Sequence, residues 1–242
     1  MAALLREISK NGRVLLVVAA PAEARAVESG FRVASIEARA DAAWGWPLRP
    51  LAEGIDLVET GVGKVNAGAA AAIRGPDFGV VVNLGVCGSL PIDNAPRIGE
   101  AVLASVSVYA DEGVQTEAGW QTLPEMGFAL GPFAGVGIAC DQALREALAP
   151  LAARIAPVAT VSTCSGTDAL ARAVALRTGA AAEAMEGAAI GHVLARVSPQ
   201  TRFAELRTVS NTTGDRALQR WDLRGALARL TDIAAAIAGS RT

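Results

Sequence analysis

Histidine is nearly absent: the 242-residue chain has one, His192. A single imidazole rules out a multi-histidine metal site, and a histidine-based nucleophilic triad would have to use His192 itself. Cysteine is scarce as well. Cys87, Cys140 and Cys164 are odd in number, far apart and without CxxC or Cys/His spacing, so neither a disulfide framework nor a zinc site is expected. Aromatic residues make up 4%. Charge of one sign is missing too: Lys+Arg is 22 and Asp+Glu is 24, a balance of −2. No basic field is therefore available for nucleic acid or an anionic membrane. The apolar run 14–20 is too short to span a bilayer and is cut by Pro21. Residues 1–13 lack the apolar stretch of a secretory signal. The expectation is a cytoplasmic protein with neither nucleic acid nor membrane as partner.

Small apolar residues are what the chain has in quantity. Hydrophobic residues are 52% against 19% charged, which excludes disorder. A chain of this length buries roughly 70–75% of its unfolded surface without covalent staples. Continuous apolar runs of strand length fit strands buried on both faces. One occurs at 13–20, and further strands are read at 31–39, 55–59, 79–84, 101–108, 157–162 and 203–210. Helical stretches are expected at 21–28, 142–154, 168–177, 187–196 and 223–238, and the segment 61–68 leads into an Ala-rich helix to about Arg74. Residues 182–186 read as a short strand or bend, 44–47 as a loop with two tryptophans, and 109–116 as a polar loop. Strands alternating with helices predict one α/β unit with a mostly parallel sheet over residues 1–242, with no linker or repeat.

Several motifs carry both a chemical and a plain reading. Gly61-Val-Gly63-Lys64 is half a phosphate loop, but it fits neither GxxxxGK[ST] nor GxGxxG. Its plain reading is a glycine turn that lets a helix pack tightly. Gly85-Val-Cys-Gly88 ends a buried strand, where open α/β sheets place ligands; it also fits a simple strand-to-loop turn. Glu183 and Glu186 flank Met185. Such carboxylates can accept from a sugar diol, or simply sit at the positive end of a helix. Asn211 follows a strand and offers one donor and one acceptor group to a heterocycle. Asp215-Arg216 and Trp221-Asp222 read as surface polar residues with one packed tryptophan. His192 lies in an apolar helix and reads as a satisfied structural histidine.

Each motif is weak alone; their order and spacing are specific. Thr60-Gly-Val-Gly-Lys-Val-Asn66, Asn83-Leu-Gly-Val-Cys-Gly-Ser89, Ala184-Met-Glu-Gly-Ala-Ala189 and Arg207-Thr-Val-Ser-Asn211 together resemble the purine nucleoside phosphorylase/nucleosidase family, across nearly the whole chain. Segments 108–116, 162–168 and 210–216, with Trp221-Asp222, resemble its nucleosidase branch. The resemblance implies a single-domain nucleoside phosphorylase-like α/β fold, a central mixed β-sheet flanked by helices. It also implies a homo-oligomer, a dimer or larger. The substrates implied are a small-molecule nucleoside and water, with no metal and no organic cofactor.

By the same resemblance, Glu186 binds the ribose hydroxyls, and Met185, Gly85 and Val86 line the substrate. Glu23 orients the attacking water, and Asn211 faces the purine as its catalytic and binding partner. Adenine-specific nucleosidases carry Asp where this chain has Asn211, so a 6-oxopurine is the expected leaving base. Hexameric phosphorylases carry Arg and Ser on phosphate where this chain has Asn83 and Val86, which favours water as the acceptor. Arg25, nearby in sequence, keeps phosphorolysis open. Relatives place a Phe against the base where this chain has Gly166-Thr167, leaving Trp120 or Phe128 as stacking candidates. The branch further implies a substrate with an aryl ketone and a carboxylate, which needs an unidentified Arg or Lys. Trp44, Trp46 and the Tyr109 loop are candidates to line that wider pocket. The alternatives are an inosine-type or methylthioadenosine-type nucleosidase or phosphorylase, and a nucleoside-binding module without turnover.

Overall fold

The computed structural model describes residues 1–33 and 45–239. The apolar run after Arg13 forms β1 (Val14–Val18), buried at every position, as expected of a strand covered on both faces. Pro21 then opens α2 (Pro21–Phe31), where its missing N–H costs nothing. β2 (Arg49–Ala52) and β3 (Ile55–Glu59) form a hairpin, and α3 (Lys64–Arg74) follows the glycine turn. β4 (Val80–Ser89) and β5 (Ala101–Tyr109) are long central strands, and β6 (Gly113–Thr116) and β7 (Gly119–Thr122) make a separate ribbon. The chain continues through β8 (Gly137–Ala139), α4 (Gln142–Leu148), β9 (Arg154–Thr160) and α5 (Asp168–Thr178). It closes with β10 (Ala182–Ala184), α6 (Gly187–Val197), β11 (Arg202–Thr212) and α7 (Leu223–Ala238). A short helix, α1 (Ala2–Ile8), precedes all of them.

Among the described residues the main sheet has the strand order β10-β9-β5-β11-β4-β1-β3-β2, with β8 on β5. β1 pairs in parallel with β3 and β4, and β11 with β4, whereas β11–β5 and β5–β8 are antiparallel. The sheet is therefore mixed. β10 also pairs with β4, which closes five strands into a ring. Helices α2 and α7 pack on each other, as do α3 and α6. Small residues let them approach closely: a Cβ on Gly30 of α2 would stand 2.5 Å from that of Ala234 in α7.

Four sequence expectations change. The strand expected at 31–39 does not begin at Phe31, which closes α2, and residues 34–39 lie outside the described residues, as does Trp44. The helix expected to Arg154 stops at Leu148, because Pro150 turns the chain into a short 3-10 segment and Arg154 already starts β9. Pro157 is tolerated within β9 beside a register shift against β5. Gly85–Ser89 is no loop but the second half of β4, and the segment after Tyr109 contains a hairpin. α1, β2 and β8 had no expectation; the latter two are short, and too few residues alternate there to show a period.

Candidate active site

β1, β4 and β11 run in parallel, so their carboxyl ends, at Ala19-Ala20, Val86-Gly88 and Ser210-Asn211, emerge side by side. They line a cavity of about 570 Å³, within the range of small-molecule sites. Glu23, Gly88, Met185, Glu186, Arg207 and Trp221 complete much of its wall. Glu23, Val86, Met185, Glu186 and Asn211 thus converge from four separate segments; Gly85 lies immediately behind Val86.

Glu23 is set by its place in the first turn of α2. Its Oε2 accepts from the N–H groups of Ala19 and Ala20, each at 3.0 Å, and its Oε1 from Val86 N–H at 2.8 Å. A carboxylate has roughly four acceptor sites, so about one is left for the cavity. Burial pushes the Glu23 carboxyl above its ordinary value, against the opposing pull of Arg207 and the three backbone donors. Gly85 makes this approach possible. Its φ is +156°, and a Cβ there would stand 2.6 Å from both Glu23 Oε1 and Arg207 Nη1.

Glu186 precedes α6. Its Oε2 takes a hydrogen bond from Arg207 Nη2 at 3.1 Å, and its Oε1 one from Gly63 N–H at 3.0 Å. The half phosphate loop therefore binds a carboxylate of the protein. Lys64 is turned to Asp111 and Glu112, which neutralise it.

Arg207 opens the motif Arg207–Asn211 and takes no role from the sequence alone. It is 1% exposed, donates from Nε to Glu205 at 2.8 Å, and lines the cavity. Burial alone would lower its pKa, but Glu205, Glu186 and Glu23 hold it above the ordinary value. The signal was present: Glu205 and Arg207 stand two apart in an apolar strand, hence on one face. Glu205 in turn accepts from Ser107 Oγ at 2.5 Å and faces Asn83 Nδ2 at 3.4 Å. It also lies under Gly187, where a Cβ would be 2.0 Å from its Oε2.

Asn211 is buried at the end of β11, and Ser210 Oγ lies 2.8 Å from its Oδ1. Its Nδ2 donates to Thr212 O at 3.0 Å, which leaves one amide hydrogen. Glu183 is not at a helix start. It lies in β10, buried, with Ser165 N–H and Oγ donating to its two oxygens at 2.7 and 2.6 Å, and burial raises its pKa.

Other candidates lie elsewhere. Asn83 is buried against Glu205, and Arg25 is exposed; neither lines the cavity. Trp120 carries the Arg177 guanidinium over its ring at 4.5 Å, and Phe128 is exposed at the surface, so neither stacking candidate is at the site within one chain. Trp46 donates to Thr60 O, and Tyr109 OH meets His192 Nδ1 at 3.1 Å; both are outside the cavity lining. His192 also accepts from Arg196 at 3.0 Å, a satisfied structural histidine. Trp221 is the aromatic side chain that lines the cavity among the described residues. Arg216 lies 4.7 Å over its ring and donates to Gln219 Oε1 at 2.8 Å. Among the described lining residues, Arg216 is the guanidinium without a carboxylate partner. The three cysteines are free, and no three His, Cys, Asp or Glu side chains among the described residues are grouped as a metal site would need.

At the carboxyl ends of the parallel strands, the cavity gathers the carboxylates of Glu23, Glu183 and Glu186, the Arg207 guanidinium and the Asn211 amide. The chain belongs to the phosphorylase superfamily, whose family model matches residues 52–239. Within it the chain is 35% identical over 198 residues to a futalosine hydrolase of Streptomyces coelicolor, covering 78% of this chain and 80% of that one. It is 34% identical over 232 residues to the futalosine hydrolase of Acidothermus cellulolyticus, covering 92% and 89%. The structure of Helicobacter pylori futalosine hydrolase superimposes with a TM-score of 0.74 at 15% identity, covering 94% of this chain and 96% of that one. Among the described residues, no helix is long and apolar enough to cross a membrane.

Proposed function

We propose that this protein hydrolyses the N-glycosidic bond of futalosine, releasing hypoxanthine and dehypoxanthine futalosine, a step of the futalosine route to menaquinone. The carrying observation is the meeting of Glu23, Glu186 and Asn211 in one cavity, in a chain 34% identical to a futalosine hydrolase over 92% of its length. Glu186 accepts from the ribose hydroxyls. As the C1′–N9 bond lengthens, its electron pair moves into the base and C1′ gains oxocarbenium character. The water oxygen held by Glu23 then bonds to C1′. One water proton passes to the Glu23 carboxylate, the departing base takes a proton from solvent, and Glu23 returns its proton to solvent at the end of the cycle. Asn211 donates its remaining amide hydrogen to the departing purine.

Charge supports water over phosphate. Glu23, Glu183 and Glu186 line the cavity, and Arg207 is already shared by Glu186 and Glu205. Carboxylates stabilise a developing cation and repel a phosphate dianion. Arg216, stacked on Trp221, is the guanidinium left for the carboxylate of the substrate, and the ring beneath it suits the aryl group. Val62 lines the cavity yet is 54% exposed, and Val65 beside it is 84% exposed. That apolar mouth supports a homo-oligomer, a dimer or larger, and the composition supports a cytoplasmic enzyme.

The test is base release in phosphate-free buffer from futalosine, with inosine and methylthioadenosine beside it. Hypoxanthine released from futalosine without phosphate is the expected result. Release from inosine that requires phosphate would overturn the hydrolase reading.

A further inference from the structure

Beyond its place among the lining carboxylates Glu183 has no role in the chemistry above, yet its side chain is held from both oxygens. It is 5% exposed, and both of its oxygens are engaged by Ser165. Its place is fixed by sheet register. β10 pairs Glu183 with Gly88 on one side of β4, while β11 pairs Asn211 with the same Gly88 on the other. Gly88 has no side chain to part them. A Cβ there would stand 2.8 Å from Thr213 Cγ2, 3.2 Å from Asn211 Nδ2 and 3.6 Å from Glu183 Cγ. The Glu183 and Asn211 side chains therefore flank one backbone position and line the same cavity.

The geometry points to Glu183 as a second base-reading residue, accepting the N1–H of a 6-oxopurine while Asn211 donates to its keto oxygen. Each Glu183 oxygen has a lone pair beyond the one Ser165 uses, and Asn211 keeps one amide hydrogen. Acceptor beside donor is the complement of a 6-oxopurine edge, which presents N1–H beside O6. A 6-aminopurine presents the reverse, a bare N1 beside an N–H donor. It would set lone pair against carboxylate and hydrogen against hydrogen. Buried polar groups left facing the wrong partner discriminate strongly. Specificity is thus divided between two residues rather than carried by Asn211 alone. The proposal rests on the nucleosidase reading for its substrate, but not on which 5′ substituent that substrate carries.

The experiment compares futalosine with its 6-amino counterpart on the wild type, Glu183→Gln and Asn211→Asp. Glu183→Gln should lower kcat/KM for futalosine by about 10- to 100-fold and shift the 6-oxo to 6-amino ratio by at least about 10-fold. Equal losses on both substrates would show a structural role and overturn the proposal. A wild-type measurement keeps it falsifiable should the variant not fold. Hypoxanthine should bind at least about 10-fold more tightly than 1-deazahypoxanthine, which keeps the keto oxygen but has C–H in place of N1–H. Equal calorimetric affinities would overturn it. Wild type that prefers hypoxanthine but releases no base from futalosine would refute the proposed substrate and leave the base-reading assignment standing.

Discussion

Glu23 Oε1 accepts from the backbone N–H of Val86 at 2.8 Å, a bond that ties the first turn of α2 to the middle of β4 across 63 residues of sequence. Gly85 must pass beneath that bond with no side chain, because Arg207 fills the space on its other side. The Glu23 carboxylate is therefore only as well placed as this glycine allows.

Gly85→Ala should separate Glu23 from Arg207. The added methyl would meet both at 2.6 Å, from a residue whose φ of +156° already disfavours a side chain. Loss of about 1–3 kcal/mol in denaturant unfolding is expected from overpacking. Base release should fall by about 100-fold, the scale of an ångström misplacement at a reacting centre. A stable variant with full turnover would contradict the arrangement.

Glu186→Gln keeps the size of the side chain and removes its charge. Arg207 retains Glu205, so a folded protein is expected by circular dichroism. On the proposed function the ribose hydroxyls would lose an ionic acceptor, and each such hydrogen bond is worth about 1.5–3 kcal/mol. Base release should fall by at least about 10-fold. Unchanged turnover would remove Glu186 from the ribose.

The pH dependence follows from the direction of the Glu23 shift. Burial raises its pKa, and only the ionised form accepts the water's proton. Turnover should therefore rise with pH through an acid limb lying above the ordinary carboxylate range. Stability runs the other way. The folded protein holds the Glu23 and Glu183 protons more tightly than the unfolded chain does. Their contribution is full below the unfolded carboxylate pKa and is lost as pH rises through the raised values. Titration of kcat beside denaturant midpoints checks both; an acid limb at or below pH 4 would contradict the shift.

Arg216→Gln should spare the chemistry and weaken recognition of the acidic substrate. KM for futalosine is expected to rise by about 10-fold or more, whereas the neutral methyl ester should change little. Equal effects on acid and ester would mean that the guanidinium serves the loop rather than the ligand.

Much of the fold was legible in the sequence because its signals are local. Runs such as 14–18 and 80–82 are apolar at every position and read as buried strands. The helices carry Pro at the start of α2 and Gly after the ends of α5 and α7. Where the reading failed, the signal was split or short. Pro150 cut a helix that periodicity extended, and β8 is three residues of mixed character.

The residue types of the site were also present in the sequence: a carboxylate after the first strand, Met-Glu-Gly before a helix, and Asn after Ser at the last strand's end. Their chemistry is intrinsic to the side chains, so composition and order suffice to suggest it. What only the tertiary structure decided is who shares what. Arg207 serves Glu186 and Glu205, the glycine turn at Gly63 serves Glu186, and Glu183 meets Asn211 over Gly88. Those partners lie up to 123 residues apart in sequence, as Gly63 and Glu186 do. Strand register and buried charge balance bring them together, and neither is written in any local stretch of the chain.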